Sequence, residues 1–501
     1  MNRQLVWMMS LAALAACSDS SDNTAPPPPS QPPPVATRIA PSGGDGQTAP
    51  AGSLLPQEIS VLVTAEGGTP VPEVAVSWSV IEGGGAVSPA SSTTNSSGVA
   101  STAFTLGPTE GVQRAQAEVS GLAGSPVVFT ATATVDAPPP PPALPTVLRV
   151  RSGGNNVQDR FSSDLWVHGN YAYTGTWGFR EAEGNVVNVW SLDAAGAPTL
   201  VNTITVNDIN TVSDVEVSSD GQVLMFGAEV GSNAGLHLYS LANPAAPTFL
   251  DRALVEAGYH TATFGEIGGR RYAFAARNPG RGGPALVIYD VTDPANMSVT
   301  ATVRVPDSYG IHDTFVRDGL AFAFVWDAGV IIYDVGNGIR GGSPAAPVEV
   351  GRVVTSDGDA GSPAAHNGWW FHNPVSGERR YLFVGQEGPS IIGEEASGDI
   401  HVVDVSDLTQ PREVAFFHLN GAGAHNFWMD EQKQILYAAY YNGGVVALDV
   451  SGTLIGNLSG RLLSRIRPGG GGNTFTWGVQ LANGFLYAID MLSGFWQLTT
   501  E

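Results

Sequence analysis

The chain has 501 residues, a formal charge of −23, one cysteine (Cys17) and one lysine (Lys433). Such a length exceeds what a single hydrophobic core organises, so more than one domain is expected. One cysteine excludes an internal disulfide, and the acidic balance excludes the basic stripe that nucleic acid requires.

At the start, Arg3 precedes an apolar run from Leu5 to Ala16 that ends in Leu14-Ala15-Ala16-Cys17. The run is shorter than the roughly 20 residues a membrane span needs. A basic start, a short apolar core and a small-residue exit predict a secretory leader over residues 1–16. The exit resembles the bacterial lipobox. That resemblance implies cleavage before Cys17, a lipid on its sulfur and a membrane tether; Ser18 in the next position implies the outer membrane.

Two proline runs, Pro26–Pro29 with Pro32–Pro34 and Pro138–Pro142 with Pro145, predict extended spacers over residues 17–35 and 136–145. Between them, residues 36–135 alternate apolar and polar positions, as in Ile59-Ser60-Val61-Leu62-Val63 and Val74-Ala75-Val76-Ser77-Trp78-Ser79-Val80. Glycine and proline clusters punctuate these runs, which predicts a β-sandwich with Trp78 in its core. Together with Pro70-Val71-Pro72 and the tract Val87–Thr94, these words resemble bacterial immunoglobulin-like domains of the invasin/intimin type, which implies a spacer or adhesive module.

From residue 146 to 501 the sequence repeats about every 50 residues, the spacing of propeller blades. One unit reads Ile311–Val316, a turn at Arg317-Asp318-Gly319, Leu320–Val325, Val330–Asp334, and then Val348–Val354. Its third strand recurs as Leu286-Val287-Ile288-Tyr289-Asp290, Ile400-His401-Val402-Val403-Asp404 and Val445-Val446-Ala447-Leu448-Asp449. These words resemble the LVIVD repeat of bacterial surface β-propellers. Seven first strands but only six fourth strands follow in order, and the chain stops in a third strand. The segment Thr146–Val150 is therefore expected to supply the missing outer strand and close the ring. The fold class expected is all-β: an Ig-like β-sandwich followed by a seven-bladed β-propeller, as a monomer.

Standard catalytic words are absent: no G-x-x-x-x-G-K-[ST], H-E-x-x-H or G-x-S-x-G. One constellation stands out when the openings of the repeats are aligned. A single column reads Ser163, Ser213, His260, His312, His366, His425, Thr476. Equivalent positions of a propeller meet around its axis, and imidazole is the commonest transition-metal ligand, so the four histidines are candidate ligands for iron, copper or zinc. Hydrogen bonding between blades is the other reading of this column, and of the neighbouring Asp164, Asp214, Asp313, Asn367 and Asn426. Second-strand ends fall on the same face and carry Trp177, Glu229, Arg277, Trp326, Asp327, Glu387, Tyr441 and Asp490 as candidate binding residues. His237 and His401 sit mid-strand and read as packing residues. A four-histidine propeller site resembles in design the centres of carotenoid-cleaving oxygenases and of the selenium-binding/methanethiol-oxidase group, but none of their sequence words is present. Two functions remain open. One is a surface module whose funnel face binds a protein or glycan. The other is a metal-dependent exported enzyme of oxidoreductase type.

Overall fold

The computed structural model describes residues 34–109, 111–134, 147–178, 180–193, 197–277, 285–305 and 308–501. The leader with Cys17, the proline runs apart from Pro34, and Thr146 lie outside the described residues. Among the described residues the chain is strands, with two three-residue 3-10 turns and no helix long and apolar enough to cross a membrane. It divides into two compact units, residues 1–136 and 137–501.

In the first unit one sheet orders Ala36–Gly43, Ile59–Ala65, Val99–Thr105 and Ala86–Ser88. The second orders Gln47–Pro50, Val127–Thr134, Gly111–Glu118, Ala75–Glu82 and Ser91–Thr93. Side chains alternate across a strand, so the period-2 residues turn one way. Ile59, Val61 and Val63 from the first sheet meet Val76, Trp78, Phe129 and Ala131 from the second in one core. Trp78 is buried, and its indole N–H donates to Ser92 Oγ at 2.8 Å, which satisfies the polar end of a core residue.

The second unit is a series of antiparallel meanders. Their first strands are Phe161–His168, Thr211–Val217, Thr261–Ile267, Asp313–Arg317, Ala365–Phe371, Phe427–Asp430 and Thr476–Ala482. Each lies against the first strand of the next meander, and Thr476–Ala482 lies against Phe161–His168, so the series returns on itself. Covering on both faces explains the continuous apolar runs of the middle strands. Leu320–Val325 and Gly329–Asp334 are buried at every position. Leu320, Phe322 and Phe324 pack on Trp370, Leu382 and Val384 of the following meander. Ala321, Ala323 and Val325 pack on Phe274, Leu286 and Ile288 of the preceding one. Truncating Phe322 to alanine would cost about 3–5 kcal/mol.

The aspartates that end third strands cap the following turns, as at Asp290 onto Thr292 N (3.0 Å) and Asp449 onto Ser451 N (2.9 Å). Asp334 holds a whole loop, accepting from the backbone of Gly336, Asn337, Gly338, Arg340 and Gly342.

The outer strand of the last meander comes from the beginning of the unit. Leu148–Gly153 pairs antiparallel with Gly494–Thr500, matching Leu148 to Thr500 and Val150 to Leu498. The strand runs two or three residues further along the chain than the segment Thr146–Val150 read from sequence. A register shift between Val150 and Ser152 extends the pairing, and Asn156 clasps its end. Asn156 Nδ2 donates to Phe495 O at 3.0 Å, while Phe495 N donates to Asn156 Oδ1 at 2.9 Å.

Candidate metal centre at the strand entries

The aligned column sits where the first strands begin. His260 directly precedes Thr261–Ile267, His312 precedes Asp313–Arg317, and His425 lies two residues ahead of Phe427–Asp430. His366 is inside its strand, at a register shift between Ala365 and Asn367. Matching shifts fall at Val212/Asp214 and Thr476/Gly478. A bulge adds a residue to one strand and re-aims its side chain. Gly385, opposite the His366 bulge, has no room for a Cβ beside the Asn367 side chain. The register also corrects the alignment: Trp477, not Thr476, is the extra residue of the last meander.

The column brings its four histidines together. Ring centroids are 4.2 Å apart for His260–His312, 4.2 Å for His312–His366 and 4.1 Å for His366–His425. All four are buried. Trp326 stacks on His312 at 4.6 Å, and Trp477 lies 4.4 Å from His425. Trp177, Trp326, Trp477, Glu387, Gly388 and Pro389 complete the pocket around His260, His312 and His425.

Hydrogen bonding between meanders accounts for part of the column. Ser163 Oγ donates to Val212 O, and Ser213 Oγ donates to His260 O at 2.5 Å. His425 Nδ1 donates to Trp477 O at 2.6 Å in the same manner. His260 instead places Nδ1 3.1 Å from Glu229 Oε1. Neither ring nitrogen of His312 makes a hydrogen bond, nor does Nδ1 of His366. Glu387 Oε2 lies 3.4 Å from His312 Nε2 and 3.7 Å from His366 Nε2. Its other oxygen accepts from Tyr441 OH.

Electrostatics separate the histidines. Burial, followed by the neighbouring imidazoles, holds His312 well below the ordinary histidine pKa. Burial and then His260 bring His366 to about 3, and burial and then His366 hold His425 well below its usual value. Burial acts against protonation of His260 too, but Glu229, Glu387 and Asp214 together outweigh it and raise its pKa. Burial pushes the Glu387 carboxyl up.

Among the described residues one trio has the spacing of a metal site: His312, His366 and Glu387, whose ligand atoms all lie within 4.8 Å of one another. Two ligands about 2.1 Å from one tetrahedral ion stand about 3.4 Å apart, close to the His–Glu separations here. The set is therefore narrower than the four histidines expected from the column. His425 has one nitrogen committed to the backbone and His260 is paired with Glu229.

The second-strand ends divide similarly. Trp177, Trp326 and Glu387 line the pocket, while Glu229 and Tyr441 orient His260 and Glu387. Asp490 does not line the pocket. It is buried and accepts from Phe475 N (2.7 Å), Thr476 Oγ1 (3.0 Å) and Ser493 N (2.9 Å), so it is a cap for the local turns. Arg277 reaches Glu256 O at 2.7 Å, and the exposed Asp327 caps Tyr309 N at 2.7 Å; neither lines the pocket. His237 stacks on Phe226 at 5.1 Å, and His401 pairs with Glu413 at 2.7 Å; both are buried away from the centre.

An LVIVD repeat occupies residues 159–179. It covers the first strand pair of the first meander, and with the returning series of meanders it makes the second unit a β-propeller carrying this repeat. No curated protein matches the chain. Among solved structures, the β-propeller domain of Cps50 (Swd1) from Myceliophteria thermophila is similar over 71% of this chain and 99% of its own, at 12% identity and a TM-score of 0.48.

Proposed function

We propose that the chain is an exported lipoprotein, tethered to the outer membrane through Cys17, whose seven-bladed propeller presents a metal-centred ligand-binding pocket. An immunoglobulin-like first unit and proline-rich spacers serve as its stalk. His312, His366 and Glu387 would hold one transition-metal ion. Two neutral nitrogens and a carboxylate suit zinc, iron or copper. The observation that carries this reading is a pair of buried imidazoles, His312 without a hydrogen-bond partner at either nitrogen and His366 without one at Nδ1, beside a carboxylate already oriented by Tyr441. A buried polar atom left unbonded costs about 1–3 kcal/mol, a cost that ligation removes. Three protein ligands leave a coordination position for a ligand or water, and when bound the ion would act as a Lewis acid there. Trp177, Trp326 and Trp477 line the pocket beside His312 and Glu387.

The test is metal analysis of the protein purified without a histidine tag, followed by titration with zinc, iron(II) and copper(II) at neutral pH. One ion per chain in the native protein, and none in the His312→Asn/His366→Asn double variant, supports the reading. Absence of both resident metal and uptake refutes it. The three tryptophans then favour a module whose pocket binds a protein or glycan without metal.

A further inference from the structure

Beyond the histidine level the same first strands enclose a second cavity along the axis. Asp164, Asp214 and Asp313 line one level of it. Two residues further on, Glu216 stands among Trp166, Phe315, Trp369 and Trp428. A two-residue step along a strand is about 6.6 Å, so the acidic groups occupy two levels rather than one point. The rings form a continuous arc, with centroids 5.2 Å apart for Phe315–Trp369, 5.3 Å for Trp369–Trp428 and 5.8 Å for Trp166–Trp428.

Among the described residues, no lysine or arginine lines this cavity. Arg317, at its mouth, is committed to Glu431 through contacts of 2.6 and 3.1 Å. Each of these carboxyl groups accepts a hydrogen bond from the protein, and Asp164 and Asp214 also hydrogen-bond each other. Asp164 accepts from Asn426 Nδ2 (3.0 Å), Asp214 from Ala262 N (2.8 Å), Glu216 from Phe264 N (3.0 Å) and Asp313 from Thr314 N (2.7 Å). Thr314 and Asn367 also line the cavity and are buried, and the Thr314 hydroxyl and Asn367 Oδ1 have no hydrogen-bond partner. Burial pushes the carboxyl groups of Asp164 and Glu216 well above the ordinary range, as expected of acids enclosed without a compensating cation.

Such a cavity calls for a positive ligand, and its shape selects the kind. Among the described residues, no three of these carboxylates bring oxygens within 4.8 Å of one another, the spacing shown by His312, His366 and Glu387. They are too spread to wrap one metal ion. Aromatic faces attract ammonium groups and pack against methylene chains. We propose that this axial cavity binds a linear aliphatic polyamine, with ammonium centres at the two carboxylate levels and its methylene chain along the aromatic arc. This site is separate from the proposed metal centre and does not depend on it.

The experiment is titration of the full chain with spermidine, read by calorimetry and tryptophan fluorescence at physiological salt. Saturable one-to-one binding with a fluorescence change is expected. Glu216→Gln and Asp164→Asn, which keep an oxygen to accept the existing hydrogen bonds, should each weaken it at least tenfold while the melting curve shows a folded protein. His312→Asn should leave spermidine affinity unchanged, which keeps the outcome distinct from that of the metal centre. Three results would overturn the proposal: no binding at millimolar spermidine, equal binding by both acid variants (attraction to the net-negative surface only), or displacement of spermidine by equimolar calcium.

Discussion

Ser163 and Ser213 hold the same place in the repeat as His312 and His366, yet the two pairs are satisfied differently. Each serine hydroxyl donates to a backbone carbonyl of the next meander, which ties neighbouring first strands at the axis. The two histidines are equally buried, but His312 bonds at neither nitrogen and His366 leaves Nδ1 bare. His425 stands between the cases, with Nδ1 on Trp477 O. The comparison shows that the column has a structural task that a small hydroxyl performs. Imidazoles that do not perform it need another reason to be there, and the adjacent Glu387 carboxylate supplies one.

The largest effect that can break this comparison is on metal affinity. His312→Asn should weaken binding of zinc at least 100-fold, about 2.7 kcal/mol, in a chelator-competition assay. Ser213→Ala should leave zinc affinity unchanged but destabilise the fold by about 1–3 kcal/mol, because it strips a buried carbonyl of its donor. A thermal melt lowered by several degrees would record that. If both substitutions reduce metal affinity alike, the column has one role and the distinction collapses.

A smaller effect is expected at Tyr441. Its hydroxyl only orients Glu387, so Tyr441→Phe should cost about 10-fold in zinc affinity and keep the stoichiometry. Loss of stoichiometric binding would instead make Tyr441 part of the centre itself.

The smallest effect concerns the acids further along the axis. Burial raises the Glu216 carboxyl pKa in the folded chain above its unfolded value of 4.5. From that pH upward the folded state retains a proton that the unfolded state has released, so stability falls as pH rises. Glu216→Gln should flatten this decline in melting temperature between pH 5 and pH 8. An unchanged slope would mean that Glu216 does not titrate in this window.

Much of the second unit is legible in the sequence because its repeat copies the same words about every 50 residues, and a column is visible before any coordinate. Meanders and the closing pairing follow from counting strands. Asn156, which clasps that pairing, carries no repeat signal because it lies in the linker after the closing strand. The candidate centre is only half legible. A column reports equivalence, not which nitrogen is free, and the partners that decide it lie far away in sequence: Trp477 for His425, Glu229 for His260. Bulges at the first strands displace the alignment by one residue at Trp477 and lie beside Asp164 and Asp214, which line the axial cavity together with Asp313 from a strand without a bulge, where the sequence suggested only strand-entry bonding. Asp490 ends a second strand like Glu387 does, but its neighbours Phe475 and Ser493 draw its carboxylate into the turn.

The most direct test of the centre is X-ray absorption on the zinc-loaded full chain. A shell of two imidazole nitrogens and one carboxylate oxygen at about 2.0–2.2 Å, with one imidazole lost in His366→Asn, is the predicted result. A shell of four imidazoles, or one that His366→Asn leaves intact, would contradict the assignment to His312, His366 and Glu387.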